Sequence, residues 1–154
     1  MSDTTATSIW WIRRDLRLVD NEALTAAAAK GPVVPVFIYE ERVEALGAAP
    51  RWRLEQSLKA LAAGLEAKGL KLVLRKGAAL DVLRAVIAEA GAGAVHWGRL
   101  YDPASRRIDA DVKAALRDEG ITAQSHAGHL LHEPMTVKTK MGDYYKVFSP
   151  FWRA

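Results

Sequence analysis

Apolar residues in this chain fall into short unbroken runs, separated by longer stretches in which they recur every third or fourth position. Ile9-Trp10-Trp11-Ile12 and Val33-Val34-Pro35-Val36-Phe37-Ile38-Tyr39 are continuous runs, as expected of strands buried on both faces. Pro35 removes one ladder donor, so pairing on one side only is expected there. Leu70 to Arg75, Ala94 to Trp97 and Ile121 to Ser125 are read as the third, fourth and fifth strands. Between the first two lies an Ala-rich helix, Asn21 to Ala29, with Asp20 as its expected cap. Leu54, Leu58, Leu61 and Leu65 form one face of a helix that has Pro50 in its first turn and Gly69 as its stop. Leu80, Leu83, Val86, Ile87 and Ala90 mark the next helix, ending at Gly91. Ile108, Val112, Ala115 and Leu116 mark another, from Pro103 to Gly120.

Strict alternation of strand and helix predicts an open, Rossmann-like α/β fold. The expected sheet has five parallel strands in the order 3-2-1-4-5, with helices on both faces. The polar residues 1–8 read as a disordered lead-in, and 9–126 as the α/β domain. From Ala127 the periodicity stops, leaving 127–154 as an irregular segment without clear helix or strand. That segment is too aromatic for a free tail. It is expected to pack on something, with a second domain beginning where the chain ends.

The densest charge lies in Arg13-Arg14-Asp15-Leu16-Arg17-Leu18-Val19-Asp20, directly after the first strand. Its place between the carboxyl end of a strand and the start of a helix is where ligands gather in open α/β sheets. The turn contains no glycine, which removes both the dinucleotide fingerprint and the phosphate-binding loop. Arg13, Asp15 and Arg17 are equally suited to pair with one another or with a neighbouring domain. His126, His129 and His132 share a three-residue spacing, but Gly128 argues against a helix there, and no metal site is expected. Trp10, Trp11, Trp52 and Trp97 read as core or interface residues.

Composition narrows the class further. With 154 residues, half of them hydrophobic, the chain can build a sizeable core. The absence of cysteine removes disulfides and thiolate metal sites. No run is long enough to span a membrane and none resembles a secretory signal, so a cytoplasmic location is expected. Net charge is +4, spread along the chain rather than gathered on one face, which permits DNA contact without pointing to it.

Trp11-x-Arg13-x-Asp15-Leu16-Arg17-x-x-Asp20-Asn21 closely resembles the amino-terminal signature of the DNA photolyase and cryptochrome family. The resemblance continues in Ala49-Pro50-Arg51, in Tyr101-Asp102-Pro103 through Arg106 and Asp109, and in Tyr145-Lys146-Val147-Phe148-Ser149-Pro150-Phe151. It implies a two-domain flavoprotein. FAD, the lesion pocket and the electron-passing tryptophans would belong to a helical domain that follows, so no catalytic residue is expected in this chain. The complete protein would use light to split pyrimidine dimers in DNA, or, in the cryptochrome alternative, act as a blue-light sensor. Its partners would be the FAD domain and, through that domain, damaged DNA. Alone, the fragment is expected to self-associate through 144–152.

The resemblance also implies an antenna chromophore, for which the candidate rim is Arg13, Arg14, Asp15, Ile38, Trp52 and Ser105. This chain departs from both familiar antenna patterns. The Asn-Glu pair of folate-binding members falls at Ala104 and Ser105, and a histidine expected before Pro50 is replaced by Leu46. The aspartate of deazaflavin-binding members falls at Leu100. Two readings follow: another flat chromophore held by backbone groups and Trp52, or none.

Overall fold

The structure, a computed structural model, describes residues 6–128, 130, 133 and 136–153. Strands β1 (Ser8–Ile12), β2 (Val33–Tyr39), β3 (Val73–Lys76), β4 (Ala94–Gly98) and β5 (Thr122–His126) form one parallel sheet in the order β3-β2-β1-β4-β5. The helices are α1 (Glu22–Ala28), α2 (Glu41–Glu44), α3 (Ala48–Glu66), α4 (Ala79–Ala90), α5 (Pro103–Asp118) and the single-turn α6 (Phe148–Trp152).

Alternation along β1 divides the core in two. Trp10 and Ile12, with Phe37 of β2, pack under Ala23 and Ala27 of α1 and Leu58, Leu61 and Leu65 of α3. Ile9 and Trp11, with Val36, Ile38, Val95 and Trp97, pack under α4 and α5 through Leu83, Val86, Val112 and Leu116. Every residue of β1 is buried, because the strand is central and covered on both faces. Chain direction across the sheet reverses between β1 and β4. That is the position at which an open α/β sheet leaves a crevice beyond its carboxyl edge.

Several boundaries differ from the sequence expectation for local reasons. β3 begins at Val73 rather than Leu70, and its first partner is Val36, the residue after Pro35. Pro35 pairs with β1 alone, opposite Trp10, because it has no N–H to carry a ladder toward β3. The cap of α1 is Asn21, not Asp20. Asn21 has extended dihedrals and its side chain accepts from Leu24 N at 3.1 Å, whereas Asp20 sits at φ 54° and is solvent-facing. β5 starts one residue late, since Ile121 N donates to Leu116 O in closing α5. Ser8, placed in the lead-in by sequence, is a buried member of β1; residues 1–5 lie outside the described residues.

The expectation of no regular structure after Ala127 is corrected by α6, in which Phe148 and Trp152 stack one turn apart at 6.0 Å between ring centroids. Between β2 and α3 the chain forms the short helix α2. Among the described residues no helix is long and apolar enough to cross a membrane.

Candidate functional site

A cavity of about 380 Å³ opens where β1 and β2 end and α3 begins, within the range usual for small-molecule sites. Its walls are apolar, with Ile12, Leu16, Phe37, Ile38, Leu54 and Leu100 among them. Four arginines line it as well: Arg13 and Arg14 after β1, Arg42 in α2 and Arg53 in α3, against the single carboxylate of Glu40. Helix periodicity explains the contribution of α3. Pro50, Arg53, Leu54 and Ser57 are spaced i, i+3, i+4 and i+7, so they share the face turned to the cavity.

Two of the arginines are engaged by the protein. Arg13 is almost fully buried, with Nη1 2.5 Å from Asp109 Oδ1 of α5 and its guanidinium carbon 4.5 Å from the Trp11 ring centroid. Burial pushes its pKa below the usual arginine value, and Asp109 opposes that effect. Arg42 Nε lies 2.7 Å from Glu40, and Arg42 Nη1 donates to Ser105 Oγ at 2.6 Å. Ser105 Oγ in turn reaches Asp102 Oδ2 at 2.8 Å, and Ser105 N donates to Asp102 Oδ1 at 2.9 Å, which caps α5. Those two bonds hold the Asp102 carboxyl below its ordinary pKa. The chain of contacts braces the wall between β2 and α5.

The remaining two are not so engaged. Arg14 is exposed and lies 3.5 Å from Asp102, whose oxygens already accept from Ser105. Arg53 is exposed and makes no ion pair among the described residues.

Of the residues singled out by sequence, Arg13, Arg14 and Ile38 line this cavity together. Asp15 faces elsewhere: Arg17 grips both its oxygens at 2.9 Å and also donates to Gly128 O at 2.8 Å, tying the loop to the start of the tail. Ser105 is fully buried behind the wall and acts on the cavity through Arg42. Trp52 is 65% exposed and lies on a different stripe of α3, over a groove shared with Tyr39, Leu72 and Leu74. One helical position away from Arg53 places it about 100° around the axis.

Arg42, Arg53 and Ser57 were not singled out in the sequence, and Leu54 was noted only as part of the leucine face. The signal for Arg53, Leu54 and Ser57 as a lining was present in their spacing from Pro50. Leu46 and Leu100, the two departures from the antenna patterns, both line the cavity.

A second cluster lies across the sheet. His96 Nδ1 and His126 Nε2 are 2.9 Å apart on β4 and β5, and His96 is buried. Burial lowers the pKa of both. Lys30 adds to this at His96, and Arg99 and Lys113 add to it at His126. His129 and His132 lie outside the described residues, and no group of three or more metal-ligating side chains occurs among the described ones. Next to this pair, Glu133 accepts from both Arg99 and Tyr101. The Tyr101 hydroxyl is pushed up to about 12, by burial first and by Glu133 second.

With this geometry in place, comparison with known proteins gives one consistent result. The family model for DNA photolyase matches residues 8–154. The deoxyribodipyrimidine photo-lyase of Agrobacterium fabrum is 50% identical, over 100% of this chain and 32% of its own length. Cryptochrome-2 of Arabidopsis thaliana is 42% identical, over 95% of this chain and 24% of its own length. Among solved structures, a bacterial class III photolyase from Agrobacterium tumefaciens superposes with a TM-score of 0.90 at 49% identity, covering 97% of this chain and 31% of that one. The chain spans a third or less of the length of these relatives.

Proposed function

Because the chain belongs to the DNA photolyase family, we propose that it is the α/β domain of a deoxyribodipyrimidine photolyase, the light-driven, FAD-dependent lyase that splits pyrimidine dimers in DNA. The observation that carries this reading is the higher identity, across the whole chain, to a named photolyase than to a plant cryptochrome.

FAD does not suit the residues present here. The β1–α1 turn lacks the glycine that a dinucleotide pyrophosphate requires, and the cavity at the sheet edge is at the small end of ligand sites. On this reading FAD, and with it contact to damaged DNA, belongs to the remainder of the protein, as in the family's two-domain plan.

The role of this domain is to support that remainder and to hold an antenna chromophore. The cavity suits a flat heteroaromatic ring: apolar walls desolvate the ring faces, and polar groups at the rim fix its orientation. Arg13, held by Asp109, and Arg42, held by Glu40 and Ser105, would form the rigid part of that rim. An antenna chromophore, when bound, supplies light absorption and energy transfer. The protein is proposed to work in the cytoplasm.

Illumination of the full-length, FAD-loaded protein with an oligonucleotide carrying a thymine dimer tests the assignment. Loss of the dimer in light and not in darkness is the expected result. Normal FAD loading without repair would instead favour the cryptochrome reading, for which the plant relative is the supporting observation. An absorbance band beyond those of flavin, in the protein as purified, is the expected sign of the antenna.

A further inference from the structure

We infer that the free edge of β3, with Trp52 beside it, is a self-complementary surface on which a second copy of this chain docks, joining the two sheets into one across a two-fold axis at Leu74. The inference goes beyond the light-driven function and does not depend on it.

The backbone and the side chains of this edge both carry the argument. β3 is an outer strand of the sheet, and its outer backbone groups are open. Gly77 N donates inward to Tyr39 O at 3.2 Å, so alternation along the strand turns the amides and carbonyls of Leu74 and Lys76 away from β2. Among the described residues, Leu74 O has only a 3.4 Å contact on that side, from its neighbour Arg75. The α3 side of the edge is apolar: Leu74 is 56% exposed, and it shares with the exposed Trp52 a groove lined also by Tyr39, Leu58 and Leu72. Open edge backbone beside exposed apolar side chains is the kind of surface that accepts another strand.

Charge then selects the occupant and its register. Cations on an edge strand ordinarily repel a second copy. Here they are neutralised from within, since Lys76 pairs with Glu44, Arg75 with Glu89 at 2.8 Å and Lys59 with Glu55 at 2.7 Å. Outward groups must oppose outward groups, so two antiparallel copies of this edge can be centred on Val73, Leu74 or Arg75. Centring on Arg75 sets two arginines face to face, and centring on Val73 sets Lys71 against Arg75. Centring on Leu74 opposes Leu74 to Leu74, Arg75 to Val73 and Lys76 to Leu72, so no like charges meet. A Trp52 from each copy then flanks the leucine pair on the α3 side. The two-fold axis closes the assembly at two copies.

The 154-residue chain closes both halves of its core within itself and has no cysteine, so a single introduced cysteine reports its own surroundings. Opposed Cα atoms in such a pair lie about 5.5 Å apart, within reach of a disulfide. Leu74→Cys is expected to give a covalent dimer on mild oxidation, in a background carrying Phe148→Ser and Trp152→Ser to remove association through the tail. Thr122→Cys, on the opposite edge strand β5, is expected to give none. In sedimentation velocity of the full-length protein over a concentration series, a dimer is expected that Leu74→Arg weakens at least about tenfold, by setting two cations face to face. Trp52→Ser, which leaves β3 itself unchanged, is expected to weaken it as well. Equal cross-linking at positions 74 and 122, or association untouched by both Leu74→Arg and Trp52→Ser, would overturn the inference. A full-length protein that stays monomeric throughout the series would overturn it too.

Discussion

Asp20 and Asn21 are adjacent, both polar and both suited to cap a helix, yet their backbones differ. Asn21 is extended, and its side chain makes two bonds, accepting from Leu24 N and donating to Arg17 O at 3.0 Å. Asp20 occupies the left-handed region, which is unfavourable for a residue with a Cβ. Opposite effects are therefore expected: Asn21→Ala lowers stability by about 1 kcal/mol, whereas Asp20→Gly raises it by a few tenths to about 1 kcal/mol. Urea unfolding of the two variants measures both. At the cavity wall, Asp109→Ala would leave the Arg13 guanidinium buried and unpaired, at a cost of about 3–5 kcal/mol. Replacing both partners, Arg13→Met with Asp109→Leu, is expected to recover most of that loss, because no charge then remains buried. The same unfolding measurement decides between these outcomes.

At the scale of elements, β4 and β5 are joined by more than their ladder, since His96 and His126 hydrogen-bond across it. Burial disfavours the charged form of both rings, and it is reinforced by His126 and Lys30 at His96 and by Arg99 and Lys113 at His126. Both folded-state pKa values lie below the ordinary 6.5. The unfolded chain therefore binds more protons than the folded one between 6.5 and those lowered values. The pair's contribution is complete above about 6.5 and is lost as pH falls through that window. The urea midpoint is expected to drop from pH 7.5 to pH 5.5, and to drop less in His126→Gln, which keeps a hydrogen-bonding group without a histidine's titration. A midpoint unchanged by pH in the parent chain would remove this role. The elements around the cavity depend on a different principle, helix periodicity. α3 turns its Pro50, Arg53, Leu54 and Ser57 stripe to the cavity and its Trp52 stripe to the groove beside β3. Two adjacent residues thus serve two surfaces.

Over the whole molecule, the largest departure from a typical soluble surface is the tail. Met141, Tyr144, Val147, Phe148 and Trp152 are each 63% or more exposed, gathered within twelve residues of sequence. A cluster of that kind on a monomer's surface marks a contact with another body. Expressed by itself, the 154-residue chain is expected to associate in a concentration-dependent way through 144–152. Replacing Phe148 and Trp152 with serine is expected to weaken that association without unfolding the sheet. Sedimentation velocity over a concentration series, with circular dichroism as the check on folding, measures both. The tail is nonetheless fixed at its start, where Arg17 binds Gly128 O and Arg99 binds Glu133. It leaves the domain from a defined position at the carboxyl edge of β5.

The sequence by itself determined the sheet and its order. A short unbroken apolar run rich in β-branched and aromatic residues suits a strand covered on both faces, and leucines spaced by three and four suit a helix lying on such a sheet. Pro35 was legible as a residue paired on one side only, because a missing N–H acts locally, although the third strand was read from Leu70 and begins at Val73. Family membership was likewise legible, from motifs short enough to be read in order. The site was only half legible. Arg13, Arg14 and Ile38 share the cavity because β1 and β2 are neighbours and end together, which strand order already implied. Trp52 and Ser105 were drawn toward it by resemblance, and the structure turns one to another groove and buries the other behind Arg42. Tertiary structure alone decided which arginine meets which acid. Asp109 lies ninety-six positions from Arg13, and Ser105 sixty-three from Arg42. No local periodicity encodes such pairings, and the charge left unmatched at Arg53 emerges only once every other partner is in place.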